Sequence, residues 1–157
     1  MIDKIEQWIS QVNSEHQLAR RSCAVFKDHF NGFYSPDFLN TAFFVVTNEI
    51  PKPDFPELRE AGLGNFIDMK VDGITYNDTY YITEEAAKHL GIHFHELVHV
   101  VQWRELSPRG FIERYICEIQ KFGYNAAPLE KMAYVLDRHY QRKGPHLSVE
   151  QFVRGNL

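Results

Sequence analysis

The stretch His93-Phe94-His95-Glu96-Leu97-Val98-His99-Val100-Val101-Gln102-Trp103 constrains this chain more than any other. It contains the pattern His-Glu-x-x-His. On a helix, residues four apart lie on one face, one turn above each other. His95 and His99 can therefore aim two imidazoles at one point, as a tetrahedral zinc ion (Zn2+) requires. Glu96, next to the first of them, is placed to take a proton from a water at that ion. Phe94, Leu97, Val98 and Val101 form the opposite, apolar side. The spacing predicts a half-buried helix whose histidine face turns to a cleft.

The surrounding punctuation places this helix after strands. Thr83 suits an N-cap, and Glu84 and Glu85 suit the positive end of a helix running to about Glu105. Ser107-Pro108-Arg109-Gly110 closes it. Before it, Ala42–Thr47 reads as a buried strand. Three prolines between Pro51 and Pro56 make a stiff extended connection. Residues 65–82 read as a meander: a strand over Phe66–Val71, a turn at Asp72-Gly73, then Ile74–Tyr76 leading through Asn77-Asp78 to Tyr80–Ile82. Further helices are expected over about 111–122, ended by Gly123, and over about 128–142. A short last helix begins at the capping box of Ser148 and Gln151. The first thirty residues carry an apolar stripe from Ile5 to Phe30 at helical spacing, with a break near Asn13-Ser14.

Composition narrows the class. With 157 residues, 44% hydrophobic and 24% charged, the chain suits one globular domain over 1–157. A net charge of −4 with no long basic stretch argues against nucleic acid. No apolar run approaches the roughly 18–20 residues of a membrane span, and the first residues lack a signal-peptide pattern. Two cysteines, Cys23 and Cys117, make no disulfide framework and read as buried small residues in a reducing, cytoplasmic setting.

His95-Glu96-Leu97-Val98-His99, with a glutamate on a later helix, resembles the gluzincin clan of zinc metallopeptidases, especially its small single-domain members. The resemblance covers the region from Phe66 to about Arg142 and leaves residues 1–60 unmatched. It implies an α+β fold. A small mixed or antiparallel sheet packs on the motif helix, an edge strand borders the substrate cleft, and further helices stand at both ends.

The third metal ligand has to come from elsewhere. A metzincin pattern would need a histidine six residues beyond His99, but Glu105 stands there. Glu130 is favoured: Pro128 would put it in the first turn of a helix, and Ala126, Ala127 and Ala133 permit close helix approach. Glu118, Glu113 and Glu105 remain as fallbacks. Asp137, seven residues after Glu130, shares its face and could orient a ligand imidazole. Tyr124 or Tyr134 could stabilise an oxyanion. His93 points to another side of the helix and reads as a surface or supporting histidine.

The function these residues imply is hydrolysis of a peptide or protein substrate by zinc-activated water, with Glu96 as general base. The rival is a non-catalytic module that binds zinc or a partner on the same fold. Glu96 weighs against it, since a structural zinc has no use for that carboxylate.

Overall fold

The computed structural model describes all 157 residues. Helix α1, Ile2–Glu15, buries Ile5, Ile9 and Val12 along one stripe. It stops there. A two-residue strand, β1 (Arg21–Ser22), and a 3-10 turn over Cys23–Phe26 follow, where a helix through residue 30 was expected. The competing order is local. Ser22 Oγ accepts from the Ala24 amide, and the Cys23 amide donates to the Ala42 carbonyl. Cys23, Phe26 and Phe30 reach the core from turns, while Leu18 stands in solvent.

Ser35 caps α2, Pro36–Asn40, and β2, Phe43–Val46, is the expected buried strand. The proline-rich stretch is irregular until Pro56 opens α3, Pro56–Leu58. A π-helical turn over Arg59–Leu63 continues into α4, Gly64–Asp68. Gly62, at φ 90°, makes the kink that L side chains resist. The strand expected over Phe66–Val71 is therefore a helix through Asp68. Lys52 explains the outcome: its ammonium donates to the Phe66 carbonyl at 2.8 Å and to that of Met69, binding the end of α4.

With no strand before it, Asp72-Gly73 joins no hairpin, while the expected passage from Ile74–Tyr76 through Asn77-Asp78 to Tyr80–Ile82 is the hairpin found. Strands β3, Gly73–Tyr76, and β4, Thr79–Ile82, meet through Asn77-Asp78, with Asn77 at φ 60°. The sheet order is β1-β2-β4-β3, with β2 parallel to β4 and the outer pairs antiparallel. β3 is thus an edge strand and β4 a central one.

Thr83 does act as a cap, but for a 3-10 turn over Ala86–Lys88. His89 is extended, and the motif helix α5 runs from Leu90 to Leu106. Ser107, at φ 65°, is the whole joint to α6, Pro108–Phe122. Then come α7, Pro128–Gln141, and α8, Val149–Asn156, whose Ser148 Oγ accepts from the Gln151 amide as the capping box requires.

Helix α5 is the hub, packed on β3, β4, α6, α7 and α8. Every residue from His93 to Trp103 is buried, so the helix is covered on its histidine side as well as its apolar side. Two apolar clusters flank it. One holds Phe30, Phe94, Leu97, Val98 and Val101; the other holds Ile5, Ile9, Tyr76, Trp103 and Phe111. The architecture is α+β: a small mixed sheet against a central helix, flanked by N- and C-terminal helices. No helix is long and apolar enough to cross a membrane.

Candidate metal centre

Helical spacing sets the first two groups. His95 and His99 lie one turn apart on α5, their rings 4.9 Å apart. The sharp Ser107 corner folds α6 back against α5, and α7 packs lengthwise on it. That packing carries Glu130, in the first turn of α7, onto both imidazoles. Glu130 Oε1 lies 3.2 Å from His95 Nε2 and 3.1 Å from His99 Nε2.

The outer ring nitrogens have separate partners. His95 Nδ1 is 2.7 Å from Asp137 Oδ2, and His99 Nδ1 is 2.7 Å from Gln102 Oε1. Both partners are acceptors, so each Nδ1 carries the proton and each Nε2 presents a lone pair inward. Two lone pairs and a carboxylate oxygen then meet at one point with no donor between them. Such a meeting needs a proton or a cation. The same need shows in the acid–base balance. Burial alone would lower His95, but Asp137 and Glu130 overturn it and push it up to about 10. Burial likewise opposes charging His99, and the Glu130 carboxylate raises it nonetheless. Glu130 would be raised by burial, yet the two histidines hold it far below the usual carboxylate range.

The donor set fits zinc. Tetrahedral sites with bonds of about 2.0–2.2 Å have edges of roughly 3.3–3.6 Å, close to the separations found here. The three donor atoms all lie within 4.8 Å of one another, and all three residues are buried.

Glu96 stands beside this cluster but outside it. Thr75 Oγ1, on the edge strand, lies 3.0 Å from Glu96 Oε1 and 3.2 Å from the Glu96 carbonyl. Burial raises the Glu96 carboxyl, with the histidine charges opposing. Gly73 leaves room for this carboxylate: a Cβ there would come within 3.3 Å of Glu96 Cδ.

The remaining glutamates have other work. Glu118 accepts from the Leu129 amide at 2.8 Å and pairs with Arg114, fixing the start of α7. Glu113 pairs with Arg109, and Glu105 with Arg154. His93 is not a surface residue. Its Nδ1 meets the Tyr80 hydroxyl at 2.6 Å and its Nε2 the Ala87 carbonyl at 2.9 Å, deep in the first cluster. Tyr134 lies over the His95 ring at 4.6 Å, while Tyr124 lines the pocket in front of Glu96. Cys23 is buried as expected, but Cys117 is exposed.

Three supports escaped the sequence reading. Tyr115 donates to Glu130 Oε2 at 2.6 Å, leaving Oε1 for the centre. Gln102 holds His99 while its amide donates to the Leu129 carbonyl at 3.0 Å. Thr75 is the third. Gln102 had a local signal, since it lies one turn after His99; Tyr115 and Thr75 had none.

Comparison with protein-family models, with curated proteins and with solved structures returns no match. The assignment rests on the chain's own geometry. The His95-Glu96-x-x-His99 pair with distal Glu130 matches the gluzincin-type zinc-binding motif, within one small domain, and has the make-up of a zinc metallopeptidase site.

Proposed function

We propose that this chain hydrolyses peptide bonds, with His95, His99 and Glu130 holding zinc and Glu96 as general base. The observation that carries the reading is the division of labour between two carboxylates. Both line the pocket, but Glu130 contacts the two Nε2 atoms, whereas Glu96 contacts neither and is tethered by Thr75.

Zinc in such a centre supplies Lewis acidity, lowering the pKa of water toward about 7 and polarising a carbonyl oxygen. The protein's own groups do the rest. Glu96 takes the proton of the attacking water and passes it to the leaving amine nitrogen. Asp137 and Gln102 keep both imidazoles in the tautomer that presents Nε2. The edge strand β3 supplies a docking line. No group outside the sheet bonds to the backbone of Gly73 or Thr75, although Asn13 Nδ2 donates to the Tyr76 carbonyl at 3.0 Å. An extended peptide can add to that edge by main-chain hydrogen bonds. Two unpaired thiols suit a reducing compartment such as the cytoplasm, where we place this activity.

Glu96→Gln tests the reading. It keeps the shape and removes the basic charge. The variant should bind zinc like the parent and cleave a broad peptide library on the order of 10²–10⁴ times more slowly. Equal activity in parent and variant would leave a non-catalytic zinc module as the better account.

A further inference from the structure

Tyr115, on α6, lines the same pocket as Glu96, His99 and Glu130. Two aromatic neighbours back its ring. Phe111, one turn earlier on α6, stacks on it at 5.3 Å, and Phe66 of α4 meets it edge-on at 5.9 Å. Phe66 is fixed in turn by Lys52, whose ammonium donates to its carbonyl at 2.8 Å and lies 5.0 Å from the centre of its ring. So backed, the Tyr115 hydroxyl donates to Glu130 Oε2 at 2.6 Å. A hydroxyl that donates to an ionised carboxylate makes a bond of about 2.5–2.7 Å, stronger than a bond between neutral groups.

Glu130 is 3% exposed, and its two oxygens have separate partners. Oε1 lies against both imidazole Nε2 atoms, while Oε2 has the Tyr115 hydroxyl and no other donor of this chain. A buried carboxylate oxygen left without a partner is costly, so it turns to whatever positive group is near. Here that group would be the ion itself, because a carboxylate can bind one ion through one oxygen or through both. The difference matters. A catalytic zinc has three protein ligands and one open position, whereas a structural zinc is closed by four donors. Both oxygens of Glu130 on the ion would fill the open position.

We propose that Tyr115 is the positioning residue that keeps Glu130 on the ion through one oxygen alone, so that a coordination position stays open. The proposal rests on the zinc reading of His95, His99 and Glu130, and it supplies the open site that the peptidase reading needs. The phenol has one proton, and Oε2 receives it. Tyr115 therefore has no proton left to give a substrate, although its ring lines the pocket. It acts through Glu130. The backing by Phe66 and Phe111 belongs to the same device, since a phenol free to swing away would release Oε2 to the ion.

Tyr115→Phe removes the hydroxyl and keeps the ring between Phe66 and Phe111. Cobalt(II) in place of zinc reports the coordination, since its visible absorption weakens as ligands are added, and azide reports whether a position is open. The cobalt-loaded variant should absorb more weakly than the parent and bind azide about 10- to 100-fold less tightly, the range for losing a group behind a metal ligand. Tyr80→Phe removes a buried hydroxyl bonded to His93 instead, and it should keep the parent's spectrum and azide affinity. A parent-like spectrum and azide affinity in Tyr115→Phe overturn the proposal whatever happens to stability or metal affinity, because a hydroxyl that merely braced α7 would change only those. If Tyr115→Phe does not fold or holds no metal, Phe66→Leu takes its place. It keeps the hydroxyl and loosens its backing, so it should move both readouts in the same direction, and parent-like values there overturn the proposal. If the parent cleaves no peptide yet Tyr115→Phe loses the open position, this proposal stands and the peptidase reading falls. If cleavage depends on Glu96 while Tyr115→Phe keeps the parent's coordination, the peptidase reading stands and this proposal falls.

Discussion

His93 and His95 stand two residues apart on one helix, 2% and 7% exposed, and their surroundings differ in one respect. His93 faces a tyrosine hydroxyl and a backbone carbonyl. His95 faces two carboxylates. Burial holds His93 below its ordinary pKa, while the carboxylates drive His95 above it. The same contrast separates the two sides of α5. Around His93 the buried polar side chains are hydrogen-bonded, down to Cys23, whose thiol donates to the Tyr80 hydroxyl at 3.8 Å and is pushed up to about 12 by burial. Around His99 the wall opens into a pocket, and Trp103, one turn on, keeps a buried Nε1 without a partner. A buried histidine is a core residue when neutral groups satisfy it. It becomes a candidate ligand when converging carboxylates leave a charge to be balanced.

The largest effect should come from zinc content. His95→Ala, His99→Ala and Glu130→Ala should each remove most of the roughly one zinc per chain that such a site holds. His93→Ala and Glu118→Ala should retain it, because their partners are a hydroxyl, a carbonyl, an amide and Arg114. Elemental analysis of the five purified variants decides. Zinc lost equally from the His93 variant would erase the distinction drawn between the two histidines.

A supporting contact comes next. Asp137 Oδ2 fixes the His95 ring at 2.7 Å, and Gln141 Nε2 donates to its other oxygen at 3.1 Å. Asp137→Asn can present its amide to His95 Nδ1 and invert the tautomer. Zinc affinity, measured by competition with a chelator, should fall about 10- to 100-fold. An unchanged affinity would mean that α5 alone orients the ring.

How much of this could be read from the sequence depends on whether the partners are local. His95, Glu96 and His99 are fixed by four residues of helical spacing, so the motif carries its own geometry. Glu130 was accessible because Pro128 marks the first turn of its helix. Asp137 followed from Glu130 by helical period. Thr75 and Tyr115 were not accessible, since each meets the site only through packing of β3 or α6 on α5. The same limit explains the errors in the fold. Phe66, Ile67 and Val71 look like strand residues, but Lys52, fourteen positions before Phe66, ties up the carbonyls of a helix end there. Asn77-Asp78 makes the turn read there between Ile74–Tyr76 and Tyr80–Ile82, whereas Asp72-Gly73 has a helix and not a strand before it. Gly73 is instead kept for the approach of Glu96.

On the core side, the effect should be one of stability alone. His93→Phe keeps an aromatic ring beside Phe26 and Phe44, which lie 4.5 and 5.1 Å from the imidazole. It leaves the Tyr80 hydroxyl proton without an acceptor, its remaining contact being the weak Cys23 thiol donor at 3.8 Å. A buried unsatisfied hydroxyl costs about 1–3 kcal/mol, so urea denaturation should show a loss of that order with zinc binding retained. A stability equal to the parent's would show that the Tyr80–His93 contact contributes little net free energy.

The smallest effect is the pH dependence of that stability, and its sign separates the two histidines again. Burial, opposed by the bond to the Ala87 carbonyl, lowers the folded-state pKa of His93, while the unfolded chain takes up the proton near 6.5. The unfolded state therefore binds more protons as pH drops below about 6.5. The stability attached to neutral His93 is present above that pH and is lost as pH falls toward the folded value. His95 in the metal-free protein runs the other way. Its folded pKa is raised to about 10, so its contribution is complete below about 6.5 and is lost as pH rises through about 10. Urea denaturation of zinc-free parent and His93→Phe protein from pH 8 to pH 5 isolates the first term, because the other groups are common to both. The stability gap between parent and variant should narrow toward acid pH. A gap that widens there would mean that His93 is protonated in the folded core, and the contrast with His95 would have to be abandoned.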